Sequence, residues 1–177
     1  MSDKKVLAIC GSTRAQSSNK RYIEAMARLG GATWKVTLFD GLAGLPAFNP
    51  DLDPPSSVQD FLMLMAQADG ILICTPEYAM GVPGSLKNAI DWTVGVSAFS
   101  GKPTALVTAS LAGQKGHASL METLRVIEAR VTDETQLVIG HAQTKIDVAS
   151  VITDPDTLER VTQLVRAFDD MLWHASS

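Results

Sequence analysis

Residues 11–19 form a short segment whose side chains suit the binding of an anion. They run Gly-Ser-Thr-Arg-Ala-Gln-Ser-Ser-Asn, so hydroxyls, a guanidinium and a carboxamide lie close together. An apolar run precedes the segment and a helical pattern follows it, and the free N–H groups at the start of that helix would add to the attraction. The segment lacks the Gly-x-Gly-x-x-Gly of dinucleotide-binding sites and the Gly-Lys-Ser/Thr of P-loops. We predict a phosphate cradle, the alternative being a helix cap with additional polar residues.

A second segment, residues 75–92, offers an aromatic ring and a bent backbone. Tyr78 supplies the ring, while Pro76, Pro83 and nearby glycines restrict or bend the chain. A flat heterocycle needs such a surface, and backbone N–H groups there could face its edge and tune its electronics. A plain connection from strand to helix, with Tyr78 packed on the surface, explains the same residues, so both interpretations stay open.

The elements that must position these segments alternate between strand and helix along the whole chain. Apolar runs without interruption are typical of strands buried on both faces of a parallel sheet, and an alternating run is typical of an edge strand. The pattern predicts strands over residues 6–10, 34–39 (the edge strand), 70–75, 103–110 and 136–139, and helices over residues 19–30, 56–65, 83–92, 120–127 and 156–173.

This alternation predicts one α/β domain over residues 1–177, with helices on both faces of a parallel sheet. A flavodoxin-like strand order and half of a dinucleotide-binding fold both satisfy it. Ligands in such sheets lie beyond the carboxyl ends of the strands, so the connections after the first, third and fourth strands should form the site. A serine of residues 17–18 should cap the first helix and one of residues 56–57 the second. The loop over residues 41–55 has a length that is usually functional.

Composition excludes several classes of protein. The net charge is -4, and Lys and Arg are scattered rather than clustered, which argues against a nucleic-acid partner. The first apolar run is too short for a signal peptide or a membrane span, so we expect a cytoplasmic protein with no membrane partner. Cys10 and Cys74 are too few for a disulfide framework and should fill the core. His117, His141 and His174 are too dispersed for a metal site, and we expect them on the surface or in loops.

Two ordered motifs make the pattern specific. The first occupies residues 11–19, and the second joins Pro-Glu-Tyr at residues 76–78 to Pro-Gly-Ser-Leu-Lys-Asn-Ala-Ile-Asp-Trp at residues 83–92. Together they resemble the NADPH-dependent FMN reductase family, which includes azo-dye, quinone and chromate reductases. The resemblance spans nearly the whole chain. It implies a flavodoxin-like three-layer fold with a five-stranded parallel sheet of order 2-1-3-4-5.

The resemblance also implies an enzyme that binds FMN and passes a hydride from NADPH or NADH through it to a small-molecule electron acceptor. That acceptor would be a quinone, an azo compound, a metal oxyanion or free flavin. Because the cofactor would perform the chemistry, no catalytic acid or base is predicted. A homodimer or homotetramer is implied as well. The apolar content of residues 95–99 is compatible with an interface, and a loop contact within one subunit explains it equally. A non-enzymatic FMN-binding electron carrier or sensor is the alternative, and an interaction domain that has lost its cofactor is a third hypothesis.

Carried over by position, the resemblance assigns cofactor contacts to three connections. The predicted cofactor-binding residues are Ser12, Arg14, Ser17, Ser18 and Asn19 at the phosphate, Pro76, Glu77, Tyr78, Ala79 and Met80 beside the isoalloxazine, and Ser110 and Gly113 near the ring and ribityl chain.

The sequence departs from the family at two places. The family commonly has Asn-Gly-Ser after the tyrosine, where this chain has Ala-Met-Gly at residues 79–81. After the fourth strand the usual Gly-Gly-x-Arg is replaced by Gln-Lys-Gly-His at residues 114–117. The choice of acceptor and the preference between NADPH and NADH therefore stay open.

Overall fold

The computed structural model describes residues 3–174, which fold around one parallel sheet. Its strands are β1 (Lys4–Cys10), β2 (Trp34–Phe39), β3 (Gly70–Thr75), β4 (Thr104–Ala109) and β5 (Gln136–Ile139). They lie in the order β2-β1-β3-β4-β5, and every neighbouring pair is parallel. The flavodoxin-like alternative is thereby confirmed.

The helices cover both faces of the sheet. They are α1 (Ser18–Gly30), α2 (Ser56–Gln67), α3 (Gly84–Val94), α4 (Gln114–Val126) and α5 (Pro155–His174), and short 3-10 turns lie at Gly31–Thr33, Leu42–Gly44, Asp133–Thr135 and Ala142–Thr144. Apolar residues of α1 and α5 pack on one face, and those of α2, α3 and α4 pack on the other. The predicted three-layer fold is confirmed. Within residues 3–174, no helix combines the length and the apolar character needed to cross a bilayer.

The strands are buried because their successive side chains point to opposite faces of the sheet, and helices cover both faces. Along β1, Val6 and Ala8 join the core beneath α1 and α5, while Leu7 and Ile9 join the core beneath the other helices. Every residue of β3 and β4 is buried, whereas the edge strand β2 is only partly covered. Removal of this apolar surface from water is the main force that holds the sheet in its layered position.

The ends of the helices test the predicted caps. Ser17 caps α1 as predicted, since its side chain accepts the N–H of Asn19. The predicted cap at residues 56–57 is wrong, because α2 begins at Ser56 after Pro55 and has no side-chain cap. Proline leaves this position extended, and both serines therefore lie inside the first turn, where they cannot cap it.

The long loop over residues 41–55 is held by α3. Asn88 Nδ2 donates to the carbonyl oxygen of Pro46 at 2.9 Å, and Asn88 Oδ1 accepts the N–H of Phe48 at 2.7 Å. Trp92 Nε1 donates to the same Pro46 oxygen at 2.9 Å, and its ring meets that of Phe48 edge-on at 5.1 Å. These two residues of the second motif therefore anchor a loop.

Candidate functional site

A cavity of about 380 Å³ opens at the carboxyl edge of the sheet, among the connections that follow β1, β3, β4 and β5. Its volume is within the range of small-molecule and cofactor sites. The strand order reverses between β1 and β3, and ligands of this class of sheet bind at that point. The cavity is lined by Ser12, Arg14, Ser17, Ser18, Asn19, Pro76, Tyr78, Ala109, Ser110, Leu111, His141, Ala142, Gln143 and Thr144.

The β1 connection, residues 11–19, presents polar atoms at the start of α1. Ser17 Oγ accepts the N–H of Asn19 at 3.2 Å, which leaves the hydroxyl hydrogen of Ser17 able to donate to a ligand. Ser12 Oγ accepts the N–H of Arg14 at 3.4 Å in the same manner. Residues 17–19 are buried and Arg14 is exposed. A positive helix end, hydroxyl donors and one guanidinium therefore border the cavity.

Two buried cysteines lie behind the β1 connection. Cys10 and Cys74 are register partners on β1 and β3, and both are free thiols in the core. The Sγ of Cys74 donates to Asn19 Oδ1 at 3.4 Å, and the Sγ of Cys10 donates to the Ser12 carbonyl oxygen at 3.4 Å. Burial raises the pKa of both thiols, so they stay protonated. They support the loop from below and fill the core, as predicted.

Gly11 allows β1 and β3 to approach each other at the edge of the cavity. A Cβ added to Gly11 would lie 2.2 Å from Thr75 Oγ1 and 2.6 Å from Thr75 Cβ. The N–H of Gly11 also donates to the Cys74 carbonyl oxygen at 2.8 Å. The absence of a side chain at Gly11 therefore allows the connections after β1 and β3 to lie side by side.

The β3 turn, residues 78–81, is a two-residue hairpin turn. Tyr78 and Gly81 exchange backbone hydrogen bonds of 2.8 and 2.9 Å, and φ is +48° at Ala79 and +63° at Met80. Positive φ at both central residues defines a type I′ turn, which prefers Asn-Gly. Without such residues the left-handed backbone costs about 1–2 kcal/mol per residue. The Tyr78 ring lines the cavity, while Met80 is 68% exposed.

Glu77 joins the connection after β3 to α4. Its Oε2 accepts the N–H of Gly116 at 2.7 Å. A Cβ added to Gly116 would lie 2.8 Å from the Gly81 carbonyl oxygen, so α4 packs directly on the backbone of the β3 turn. Gly116 belongs to the segment 114–117 that departs from the family pattern. Its lack of a side chain lets α4 pack on the β3 turn, and the Glu77 carboxylate anchors α4 at that point.

The connection after β4 reaches the cavity at Ser110. Its N–H donates to the Ile139 carbonyl oxygen at 3.1 Å, and its own carbonyl oxygen accepts the N–H of Ala142 at 3.0 Å. Gly113 precedes α4 with φ +105°, a conformation that favours glycine. Gly113 therefore shapes the connection from outside the cavity lining.

His117 differs from the expectation of a surface or loop residue. It lies in α4 and is 8% exposed. The ring bridges two strands, with Thr108 Oγ1 2.9 Å from Nδ1 and Gln136 Oε1 2.9 Å from Nε2. Burial lowers the pKa of His117, because it disfavours the charged ring. A neutral ring that donates from Nε2 to Gln136 and accepts at Nδ1 from Thr108 satisfies both contacts.

The β5 turn, residues 141–144, is the part of the cavity that the sequence analysis missed. His141, Gln143 and Thr144 are exposed and Ala142 is buried. The predicted topology could have identified this turn. Because β5 lies in the same parallel sheet, its carboxyl end must reach the same edge as those of the other strands. The turn follows Gly140 directly and is short and polar.

The predicted cofactor-binding residues fall into two sets. The cavity brings together Ser12, Arg14, Ser17, Ser18, Asn19, Pro76, Tyr78 and Ser110, and its lining does not include Glu77, Ala79, Met80 or Gly113. The lining combines hydroxyls, a guanidinium and a helix N-terminus from the β1 connection with apolar surface from Pro76, Tyr78 and Leu111. A phosphate monoester joined to a flat ring, as in FMN, fits this combination of donors and apolar surface.

Comparisons with known proteins agree with this chemistry. The family model for NADPH-dependent FMN reductase matches residues 4–144. A 2-hydroxy-1,4-benzoquinone reductase from Burkholderia sp is 34% identical over 86% of this chain and 87% of its own length. An NAD(P)H-dependent FMN reductase from Pseudomonas aeruginosa is 34% identical over 97% of this chain and 95% of its own. The solved structure of FerB, a flavoenzyme NAD(P)H:(acceptor) oxidoreductase from Paracoccus denitrificans, superimposes with a TM-score of 0.85 at 28% identity, covering 96% of this chain and 97% of that one.

Proposed function

Because the chain belongs to the NADPH-dependent FMN reductase family, whose enzymes use FMN and NAD(P)H, we propose that it reduces quinones. Two relatives of similar length support this proposal, one bearing the name 2-hydroxy-1,4-benzoquinone reductase and the other NAD(P)H-dependent FMN reductase. We further propose that residues 1–177 form a single FMN-binding domain and that the β1 connection holds the phosphate of FMN. In the overall reaction NAD(P)H and a proton reduce one quinone to one hydroquinone, with release of NAD(P)+.

The observation that best supports this function is a cavity lining that combines polar groups of the β1 connection with apolar residues of the other connections. Arg14 and the start of α1 would counter the negative charge of the phosphate, and Ser12 and Ser17 would donate hydroxyl hydrogens to it. Pro76 and Tyr78 would border the ring and exclude water from that side of it. When bound, FMN supplies the two-electron chemistry by accepting a hydride and passing it on. No side chain of the cavity needs to act as an acid or base.

The visible spectrum of the purified protein tests the proposal. We expect a flavin absorption band after addition of FMN, bleaching of that band within seconds of anaerobic mixing with NADPH, and recovery on addition of 1,4-benzoquinone. A colourless protein that does not quench FMN fluorescence would contradict FMN binding. A flavin band that stays oxidised with both NADPH and NADH would favour the electron carrier or sensor instead. Bleaching without recovery would leave the enzyme but exclude this quinone as acceptor.

We also propose that copies of the chain associate as a homodimer or homotetramer. The support is an exposed apolar surface at the end of α3 and α4, where Val94, Val96 and Val126 are 52%, 59% and 81% exposed. The predicted interface at residues 95–99 overlaps this surface. Sedimentation equilibrium tests it, and Val126→Glu should shift the protein to monomers. Free buried thiols suit a reducing compartment, which supports the proposal of a cytoplasmic protein.

A further inference from the structure

We propose that His141 and Gln143 of the β5 turn form a second binding surface for the phosphate end of FMN, facing the β1 connection across the cavity. The inference rests on the proposed binding of FMN and extends it to a connection that the family motifs do not include. Both residues line the same cavity as Arg14 and residues 17–19.

Contacts with α1 place the β5 turn beside the phosphate end of the cavity. Tyr22 Oη donates to the Ala142 carbonyl oxygen at 3.0 Å. Arg21 Nη1 donates to the Asp147 carbonyl oxygen at 2.9 Å, just after the turn. Arg21 and Tyr22 lie in the N-terminal half of α1, close to the capped end that attracts an anion. The turn is therefore tied to the helix end that binds the phosphate.

The backbone of the β5 turn is held on its other side by the connection after β4. The N–H of His141 donates to the Leu111 carbonyl oxygen at 3.0 Å, and the N–H of Ala142 donates to that of Ser110 at 3.0 Å. With Ala142 buried and its neighbours His141 and Gln143 exposed, the turn presents these two polar side chains at the cavity from a fixed backbone. A binding group on a fixed backbone loses little entropy when it meets its ligand.

The hydrogen bonds of the turn single out these two side chains as the available donors. Thr144 Oγ1 already donates to the His141 carbonyl oxygen at 2.9 Å. Among residues 3–174, the His141 ring and the Gln143 amide have no hydrogen-bond partner. His141 has φ +51°, a left-handed conformation that His adopts more often than most residues other than glycine.

The charges around the cavity favour an anion. Its lining within the described part of the chain contains Arg14 and no Asp or Glu. The carboxylate of Asp147, just after the turn, is engaged elsewhere, because its Oδ1 accepts the N–H groups of Ala149 and Val151 at 2.9 and 2.8 Å. Imidazole and amide N–H groups would therefore meet the phosphate oxygens without a competing acceptor.

Gln143→Glu tests the inference, because it keeps the size of the side chain and replaces a donor by a negative charge. Dissociation constants for FMN and for riboflavin, which shares the ring and ribityl chain but lacks the phosphate, are measured on the apoprotein by fluorescence quenching. We expect FMN to bind 10-fold or more weakly and riboflavin to change less than 2-fold. His141→Asn, which tolerates the left-handed backbone, should weaken FMN by a smaller factor and leave riboflavin unchanged.

Gln67→Glu is the matched control, since Gln67 is an exposed residue at the end of α2 beside Lys5, at the amino ends of the strands. It should change neither dissociation constant. The phosphorus NMR resonance of FMN bound to Gln143→Glu should also move from its position in the unaltered protein. Unchanged FMN affinity in Gln143→Glu, or an equal loss for FMN and riboflavin, would overturn the inference. Failure of the unaltered protein to bind FMN would instead contradict the proposed function.

Discussion

The β1 connection and the β3 turn border the same cavity but are built in opposite ways. Ser17 and Asn19 are buried at 6% and 4% exposure, and they are held because Ser17 caps α1 and the Cys74 thiol donates to Asn19 Oδ1. Ala79 and Met80 are exposed and lie in a left-handed backbone that their residue types disfavour. The difference indicates that the β1 connection forms a rigid side of the cavity, whereas the β3 turn forms a variable side whose residues can change without loss of the fold.

Gly11→Ala should give the largest effect, because it alters the rigid side directly. The new Cβ would lie within 2.2 Å of Thr75 Oγ1, so the ends of β1 and β3 must move apart. We expect a loss of about 3 kcal/mol in the free energy of unfolding, at the upper end for overpacked sites, together with weak FMN binding. Urea denaturation measures the first and fluorescence quenching the second. Gly44→Ala, where nothing lies within 4 Å of the added Cβ, is the control and should change stability by less than about 0.5 kcal/mol.

Arg14→Ala should weaken FMN binding without unfolding the protein. Arg14 is exposed, and a charge-assisted hydrogen bond to phosphate is worth about 1.5–3 kcal/mol, which corresponds to roughly a 10- to 100-fold rise in the dissociation constant. Riboflavin should bind as before. Arg166→Ala removes an exposed cation from α5 and should leave both constants unchanged. Equal weakening of FMN and riboflavin by Arg14→Ala would contradict a phosphate contact.

The double variant Ala79→Asn, Met80→Gly should change the variable side, the β3 turn, and leave the β1 connection unaltered. Asn-Gly suits a type I′ turn, so we expect a gain of about 1–2 kcal/mol in the free energy of unfolding. The FMN dissociation constant should stay within about 2-fold, because neither residue lines the cavity. We expect the KM for the quinone to change, because the turn carries Tyr78 of the cavity lining and the exposed Met80 thioether on that turn is lost.

Ser97→Gly is the control for this double variant, because Ser97 is exposed, has φ +50° and is not part of the cavity lining. It should stabilise the protein and leave the KM for the quinone unchanged. Strongly weakened FMN binding in the double variant would contradict the distinction between a rigid β1 connection and a variable β3 turn.

The smallest effect should come from His117, whose protonation contributes to the change of the free energy of unfolding with pH. Its pKa is lower in the folded protein than in the unfolded chain, so the unfolded chain takes up the proton first as pH falls. The stabilisation is therefore present above the unfolded pKa of about 6.5 and is lost as pH falls below it. Urea denaturation at pH 7 and pH 5 measures the loss, and His117→Gln should reduce it. A loss of the same size in His117→Gln would contradict this assignment.

Much of the fold could be predicted because the signals were periodic and local. The strands at residues 70–75 and 136–139 were predicted with the observed limits, since apolar runs and flanking breakers define them. Ser17 was recognised as a cap from its residue type and its place before the helical pattern. The cap at residues 56–57 failed because Pro55 sets an extended backbone one residue earlier.

Contacts between distant parts of the chain could not be predicted in this way. The Glu77 carboxylate accepts the N–H of Gly116, and that pairing depends on how α4 packs on the β3 turn. The burial of His117 between Thr108 and Gln136 likewise requires two strands and a helix to meet. Neither pairing leaves a periodic trace in the sequence.

The sequence by itself determined the layered α/β architecture, the β1 connection and the family resemblance, because their signals lie in neighbouring residues: a helix cap, a run of hydroxyls and a guanidinium within residues 11–19. Only the tertiary structure decided the far wall of the cavity. Tyr22 and Ala142 lie 120 residues apart, and they meet because the parallel order β2-β1-β3-β4-β5 ends every strand at one edge and α1 packs beside the chain that leaves β5.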